Sequence, residues 1–285
     1  MPAATATPAP AASIPRAEAL ARRYGPGAPA LPDGPWNAHL ELLLSHRSVR
    51  GYLPDPLPPG TLETLVAAAQ SAATSSNLQS WSVAVVEDPA ARDALARIAS
   101  NQKHIRECPL FLVFLADLSR NRRLGDRAGQ EMVALDYLES FLVAAIDAAL
   151  AAQNAVVAAE AMGLSTVYIG ALRNDPEAVA RLLGLPPGCV GVFGLCVGRA
   201  APGAEGEVKP RLPQQAIVFR GRHDATQEAA LVAAYDPRME DFSRRNEVSA
   251  DGWARRVLAR VGTLANFGGR EKLAGALRAL GFALK

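Results

Sequence analysis

AAQNAVVAAEAMGLSTVYIGALRN, residues 151–174, holds the transition that decides the fold. Its first half ends a long alanine-rich run, Gln130 to Met162, which predicts a helix apolar nearly all round and therefore central to the molecule. Gly163 is placed to cap that helix, because glycine accepts the left-handed backbone of a helix terminus. Thr166 to Ile169 then reads as a strand closed by Gly170, and Pro176 to Leu183 as a short helix.

Working outward, Trp81 to Glu87 and Leu110 to Ala116 are rich in aromatic and β-branched residues and predict two strands, the second buried on both faces. Val190 to Val197 predicts another, with Gly191 and Gly194 inside it, so that something approaches its backbone closely. A last short strand is expected at Ala216 to Phe219. Helices are expected from Trp36, with Leu40, Leu43 and Leu44 on a core-facing stripe, from Thr61 as a cap through Leu62, Leu65 and Val66 toward Ala73, and over Pro89 to Ala99. Strands interleaved with helices, without a regular βαβ period, indicate an α+β fold rather than a doubly wound parallel sheet.

A chain of 285 residues can bury roughly three quarters of its unfolded surface. Its net charge of +2 offers no field suited to duplex DNA, so nucleic acid is not an expected partner. Cys108, Cys189 and Cys196 form neither a disulfide framework nor a zinc ribbon; they read as small core fillers in a reducing compartment, which points to the cytoplasm. The apolar stretch Phe141 to Ala159 carries Asp147, Gln153 and Asn154, costly in lipid, so no membrane span is expected. The first 35 residues, rich in Ala and Pro, are expected to be largely disordered, with a possible short helix at Arg16 to Tyr24 and no secretory signal. Residues 36–215 are then expected to form the core, and 216–285 a C-terminal extension and helical region.

Chemistry concentrates in His46-Arg47-Ser48-Val49-Arg50, two guanidinium groups, an imidazole and a hydroxyl where a helix ends. Planar arginine donors suit phosphate. Taken alone, a solvated basic helix end complementing the macrodipole is the better account. Its company changes the balance: Lys209-Pro210-Arg211 adds two cations held apart by a rigid proline, and Ser75 to Gln79 supplies a loop of small donors.

Together with Asn101-Gln102-Lys103-His104, the stretch 151–174, FGLCVG and KPRLP, these motifs resemble, in order from about Leu42 to about Trp253, the nitroreductase superfamily, in particular its NADPH-dependent branch of oxygen-insensitive nitroreductases and flavin reductases. The resemblance implies a mostly antiparallel central sheet flanked by helices, a domain-swapped homodimer, and FMN at its interface. Carried over by position, His46, Arg47, Ser48, Arg50, Gln102, Tyr168, Ile169, Gly170, Ala171, Lys209 and Arg211 resemble one subunit's flavin contacts, and Thr74, Ser75, Ser76, Asn77 and Leu78 the partner's. The backbone N–H at Gly170 would meet flavin N5, and Arg47 and Arg50 would favour the negative charge of reduced flavin. Arg244, with Arg245 beside it, resembles the grip on the NADPH 2'-phosphate; solvated helix charges are an equal account, and a further arginine of the family is replaced near Ser249. The approach to Lys209 over Gly203 to Glu207 reads as longer than the family's pattern.

The implied activity is ping-pong transfer of hydride from NADPH or NADH through FMN to a nitroaromatic, quinone or similar small electron-poor acceptor, with no side-chain nucleophile and no metal. Rival readings keep the fold and change its use, to a flavin reductase feeding a monooxygenase, a specialised biosynthetic flavin dehydrogenase, or a non-catalytic dimeric interaction protein. A Rossmann site at Gly25-Pro26-Gly27 or Gly188-Gly191-Gly194 lacks the required strand-to-helix context.

Overall fold

The computed structural model describes residues 12–246 and 249–285. Two compact units divide it. The first joins the described residues up to Arg47 with Gly206–Thr263, and the second joins Ser48–Glu205 with Leu264–Lys285.

In the first unit, α1 (Arg16–Tyr24) packs against α2 (Ala38–Ser45), and α9 (Glu228–Asn246) against α10 (Trp253–Val261). Asn37 starts α2 by accepting the Leu40 N–H at 3.1 Å, so the helix expected from Trp36 begins two residues later. Its expected core stripe is not buried within the chain, and Leu43 is exposed. The Ala/Pro-rich start is ordered in its described part: α1 forms where a short helix was possible, and Trp36 Nε1 donates to Ile14 O at 2.8 Å. Residues 1–11 lie outside the described residues. The strand expected at Ala216 to Phe219 is absent; Gln214–Ala216 make a short 3-10 turn, and Ile217 and Val218 stand 61% and 58% exposed.

The second unit is built on a four-stranded sheet in the order β1-β2-β4-β3, every neighbouring pair antiparallel: β1 (Trp81–Val85), β2 (Leu110–Asp117), β3 (Ser165–Ile169) and β4 (Cys189–Gly198). Period-2 alternation along β2 sends Leu112 and Phe114 into one core and Phe111, Val113 and Leu115 into the other. The first core is closed by α3 (Thr61–Gln70) and α7 (Leu138–Ala161). The second contains residues of α4 (Pro89–Ile98), α5 (His104–Glu107) and α8 (Pro176–Leu183). Asp88 and Asp175 cap α4 and α8 with a proline in the first turn of each. The unit also holds α6 (Ser119–Ala128) and α11 (Leu273–Ala279).

Two expected boundaries shift. Gly60, φ +81, precedes α3, and Thr61 is its first residue, its hydroxyl donating to Pro58 O at 2.7 Å. α7 starts at Leu138 rather than Gln130, after a 3-10 turn at Val133–Asp136. Gly163 does take the left-handed backbone, φ +73, just beyond α7. By length and composition α7 could cross a membrane, yet seven of its alanine and valine side chains and Asp147 are buried. Its other face exposes Leu138, Leu142, Ile146 and Leu150, one per turn over about 18 Å.

Packing accounts for the glycines inside β4. A Cβ at Gly194 would lie 2.6 Å from the ring of fully buried Phe111, and one at Gly191 3.2 Å from Val179. The close neighbours are core side chains. All three cysteines are buried free thiols, and burial pushes the Cys189 thiol up to about 12.

Candidate functional site

In the first unit one buried side chain organises the basic residues. Arg23, in the last turn of α1 and 8% exposed, donates to Leu44 O at 2.7 and 3.1 Å, to His46 O at 2.9 Å and to Lys209 O at 3.0 Å. Leu44 and His46 carry carbonyls at the end of α2 that no helical turn can satisfy, and a guanidinium fork matches them. Arg23 O in turn accepts the Arg211 N–H at 3.0 Å, and Tyr235 Oη donates to Pro210 O at 2.9 Å. The backbone from Lys209 to Arg211 is therefore pinned at every residue, beside the end of α2. Half-buried His46, exposed Arg47, half-buried Lys209 and exposed Arg211 belong to this one assembly. Arg47 Nη1 donates to Gly206 O at 3.3 Å, and Lys209 and Arg211 border a cleft of about 400 Å³ whose wall includes Tyr235, Met239 and Trp253. Sequence reasoning missed Arg23, whose one weak signal is an Arg-Arg pair closing a short helix in a Pro-rich stretch.

In the second unit, Ser48 bridges Thr166 in parallel and the Val49 N–H donates to Thr166 O at 3.0 Å, so the segment passes the starting end of β3. Val49 is buried while Ser48 and Arg50 face outward. Gly170 lies at the other end of β3, roughly 13 Å from Thr166 at the strand rise. That spacing suits an elongated ligand. A Cβ at Gly170 would stand 3.2 Å from Arg173 Nη2, and Arg173 is itself anchored on Val192 O at a bulge of β4.

Asn174 ties this turn to the Gln102 loop, donating to Ile98 O at 3.1 Å and to Ser100 Oγ at 3.3 Å while accepting from Arg270 Nε at 2.9 Å. The turn that follows Gly170 and Ala171 is thus braced against the segment Ile98–Ser100, which leads into Gln102. Half-buried Tyr168 donates to Gln153 Oε1 at 3.3 Å and meets Phe193 edge-on; Ile169 is buried and serves the core. Ser75, Ser76, Asn77 and Leu78 form a loop wholly exposed, with Thr74 half-buried at its root.

His104, beside Gln102, is 6% exposed and its Nε2 has no partner. Burial first, then the Arg50 charge, holds its pKa below 6.5; Lys103 acts the same way and Glu107 against it. The unfolded chain therefore gains a proton that the folded chain refuses, so stability falls as pH drops below about 6.5, by up to about 1.4 kcal/mol per pH unit until the folded imidazole titrates. Urea midpoints at pH 7.5 and 5.5 should differ more for the native chain than for His104→Leu; equal differences would refute this.

Arg244 pairs with Glu240 at 3.0 Å and Asp241 at 3.8 Å, and Arg245 with Glu207 at 2.9 Å and with Asp241. Glu207, at the end of the Gly203 to Glu207 approach to Lys209, engages Arg245.

The chain matches the family model described as "Nitroreductase family" over residues 43–199 and its C-terminal domain over 209–285. The chain belongs to the nitroreductase family. Within that family it is similar to an FMN reductase (NADPH) of Bacillus subtilis, 37% identical over 78% of this chain and 90% of the relative. An oxygen-insensitive NADPH nitroreductase of Salmonella typhimurium is 36% identical over 75% of this chain and 87% of its own length. Among solved nitroreductase-family structures, a nitroreductase from B. subtilis superposes with a TM-score of 0.80 at 34% identity, covering 86% of this chain and 99% of that one. The NADPH:FMN oxidoreductase of Vibrio harveyi complexed with NAD+ gives 0.78 at 32% identity, covering 87% and 100%. The α+β nitroreductase fold expected from the motifs is the fold observed.

Proposed function

We propose that this protein is an FMN-dependent NAD(P)H oxidoreductase that passes reducing equivalents to nitroaromatics, quinones or similar electron-poor small molecules. The observation that carries this reading is the clasp of Arg23, which draws two basic clusters from opposite parts of the sequence into one assembly. The donor chemistry suits the group: in the first unit His46, Arg47, Lys209 and Arg211 suit a phosphate dianion, and in the second Ser48 offers a hydroxyl at one end of β3 and the Gly170 turn backbone N–H groups at the other. Bound FMN would supply the two-electron chemistry that links the nicotinamide to the acceptor. The chain's part is to grip the phosphate with cations, to hold the Gln102 and Gly170 turns rigid through Asn174, and to stabilise negative charge with Arg47 and Arg50.

The assembly proposed is a homodimer. The exposed stripe of Leu138, Leu142, Ile146 and Leu150 is an apolar face that a second copy would cover. Two backbone features are complementary. Asp117 N–H donates to Ser80 O and Val86 N–H to Phe111 O, so even-numbered residues of β1 face β2 while Val83 and Val85 turn their backbone to the sheet edge. The Ala-Ile-Val-Phe segment 216–219, strand-like in sequence and with Ile217 and Val218 exposed here, is the element proposed to cross to a partner's edge. Thr74, Ser75, Ser76, Asn77 and Leu78 would then meet the flavin held by the other subunit. Arg244 and Arg245 are proposed to meet the 2'-phosphate by exchanging their carboxylate partners; comparing KM for NADPH and NADH in Arg244→Ala tests it. Buried free thiols suit the reducing cytoplasm, where we place the protein.

Purified protein should show flavin absorbance, and a chain that stays colourless after FMN addition would return the interaction-protein reading. Arg211→Ala should weaken FMN binding by about 1.5 to 3 kcal/mol, roughly 10- to 150-fold, in a fluorescence titration. Unchanged affinity would remove Arg211 from the site. Turnover with a nitrofuran, a quinone and free FMN separates general reductase from flavin supplier.

A further inference from the structure

Asp147 is a carboxylate in the middle of α7, 1% exposed among alanines, leucines and valines. Neither the cation assembly nor the braced Gly170 turn uses it. Its two oxygens are both occupied, and by backbone: Oδ1 accepts the Ser75 N–H at 3.1 Å and Oδ2 accepts the Ser80 N–H at 3.2 Å. These two donors bracket the exposed loop Ser75–Gln79. Within it Ser76, Asn77 and Gln79 have φ of 48, 53 and 50°, the left-handed region in which side chains with a Cβ are strained. A loop with three such residues persists only where its surroundings fix its ends.

We propose that Asp147 is a positioning residue for flavin binding, acting across the dimer. It clamps both ends of the Ser75–Gln79 loop, and so holds the strained conformation with which one subunit meets the flavin bound by its partner. The clamp needs two acceptors at one position. Asparagine supplies one, and its amide nitrogen would face an N–H donor. This inference rests on the FMN-dependent homodimer proposed above.

Subunit complementation tests the clamp. Asp147→Asn should weaken FMN binding by about 10- to 100-fold, by analogy with the loss of one charge-assisted hydrogen bond. Co-expressing Asp147→Asn with Arg211→Ala under two affinity tags yields mixed dimers, each holding one site with intact cations and an intact loop and one site lacking both. Half of the FMN sites should then titrate with wild-type affinity. A destabilised fold, or a loop acting within its own subunit, restores no such site, and that result overturns the proposal. Wild-type affinity in Asp147→Asn alone overturns it too, while leaving the flavin reading intact. If wild-type protein binds no FMN, the flavin reading falls first, and this inference with it.

Should Asp147→Asn fail to fold, Ser75→Pro deletes one of the two donors and leaves the carboxylate in place. Thr74, φ −129° and ψ 152°, has the extended backbone that a following proline requires. Against Ser75→Ala, which keeps the N–H, Ser75→Pro should bind FMN about tenfold more weakly. Equal affinities of the two would overturn the clamp.

Discussion

Arg23→Ala should lower the unfolding free energy by about 3 to 5 kcal/mol and weaken FMN binding beyond what Arg211→Ala does. The guanidinium is nearly buried and satisfies carbonyls at Leu44, His46 and Lys209. Removing it strands acceptors that water reaches poorly, at about 1 to 3 kcal/mol for each group left unsatisfied, partly relieved by relaxation. It also releases the two chain segments that carry His46, Arg47, Lys209 and Arg211, so the cations lose their common frame. Arg23→Lys, a single ammonium in place of the fork, should recover only part of the loss. Urea denaturation and FMN titration on the same preparations check both effects. A variant that loses stability but keeps its flavin affinity would show that the clasp supports the fold without shaping the site.

Phe111→Ala should cost about 3 to 5 kcal/mol, the loss of a large buried ring plus the cavity left behind. Phe111 has no exposed surface, and its ring lies against the bare backbone of Gly194, which has no side chain of its own to fill the space. The complementary change, Gly194→Ala, should cost about 1 to 3 kcal/mol by overpacking. Combined with Phe111→Leu it should cost less than the sum of the two, because both act on one contact. Denaturant midpoints of the four proteins decide it; strict additivity would contradict the packing described.

The strands were legible because their signals are local. Trp81–Val85, Leu110–Asp117 and Cys189–Gly198 are β-branched and aromatic runs, and their period shows in residues a few positions apart. Gly163 was legible as a helix end for the same reason. What escaped depends on partners distant in sequence. Arg23 sits in a stretch whose composition suggests disorder, and its role exists only once Leu44, His46 and Lys209 are beside it. Asp147 read simply as a polar break in an apolar helix, since its partners Ser75 and Ser80 lie some 70 residues earlier. The strand expected at 216–219 has the composition of one, but pairing is a property of two segments, and among the described residues this chain supplies no neighbour for it. For Arg244 and Arg245, the i,i+4 spacing of Glu240 and Asp241 was a local sign of the pairs that hold them, whereas Glu207, 38 residues earlier, gave none.

The row of leucine and isoleucine along the outside of α7 carries a practical consequence on the dimeric reading. A freshly synthesised protomer is sticky until it meets its mate, a second-order event, so dilution lengthens the interval in which it can aggregate instead. Melting temperature should then rise with protein concentration. Catalytic measurements made at nanomolar enzyme would then sample a population different from the one present at micromolar concentration.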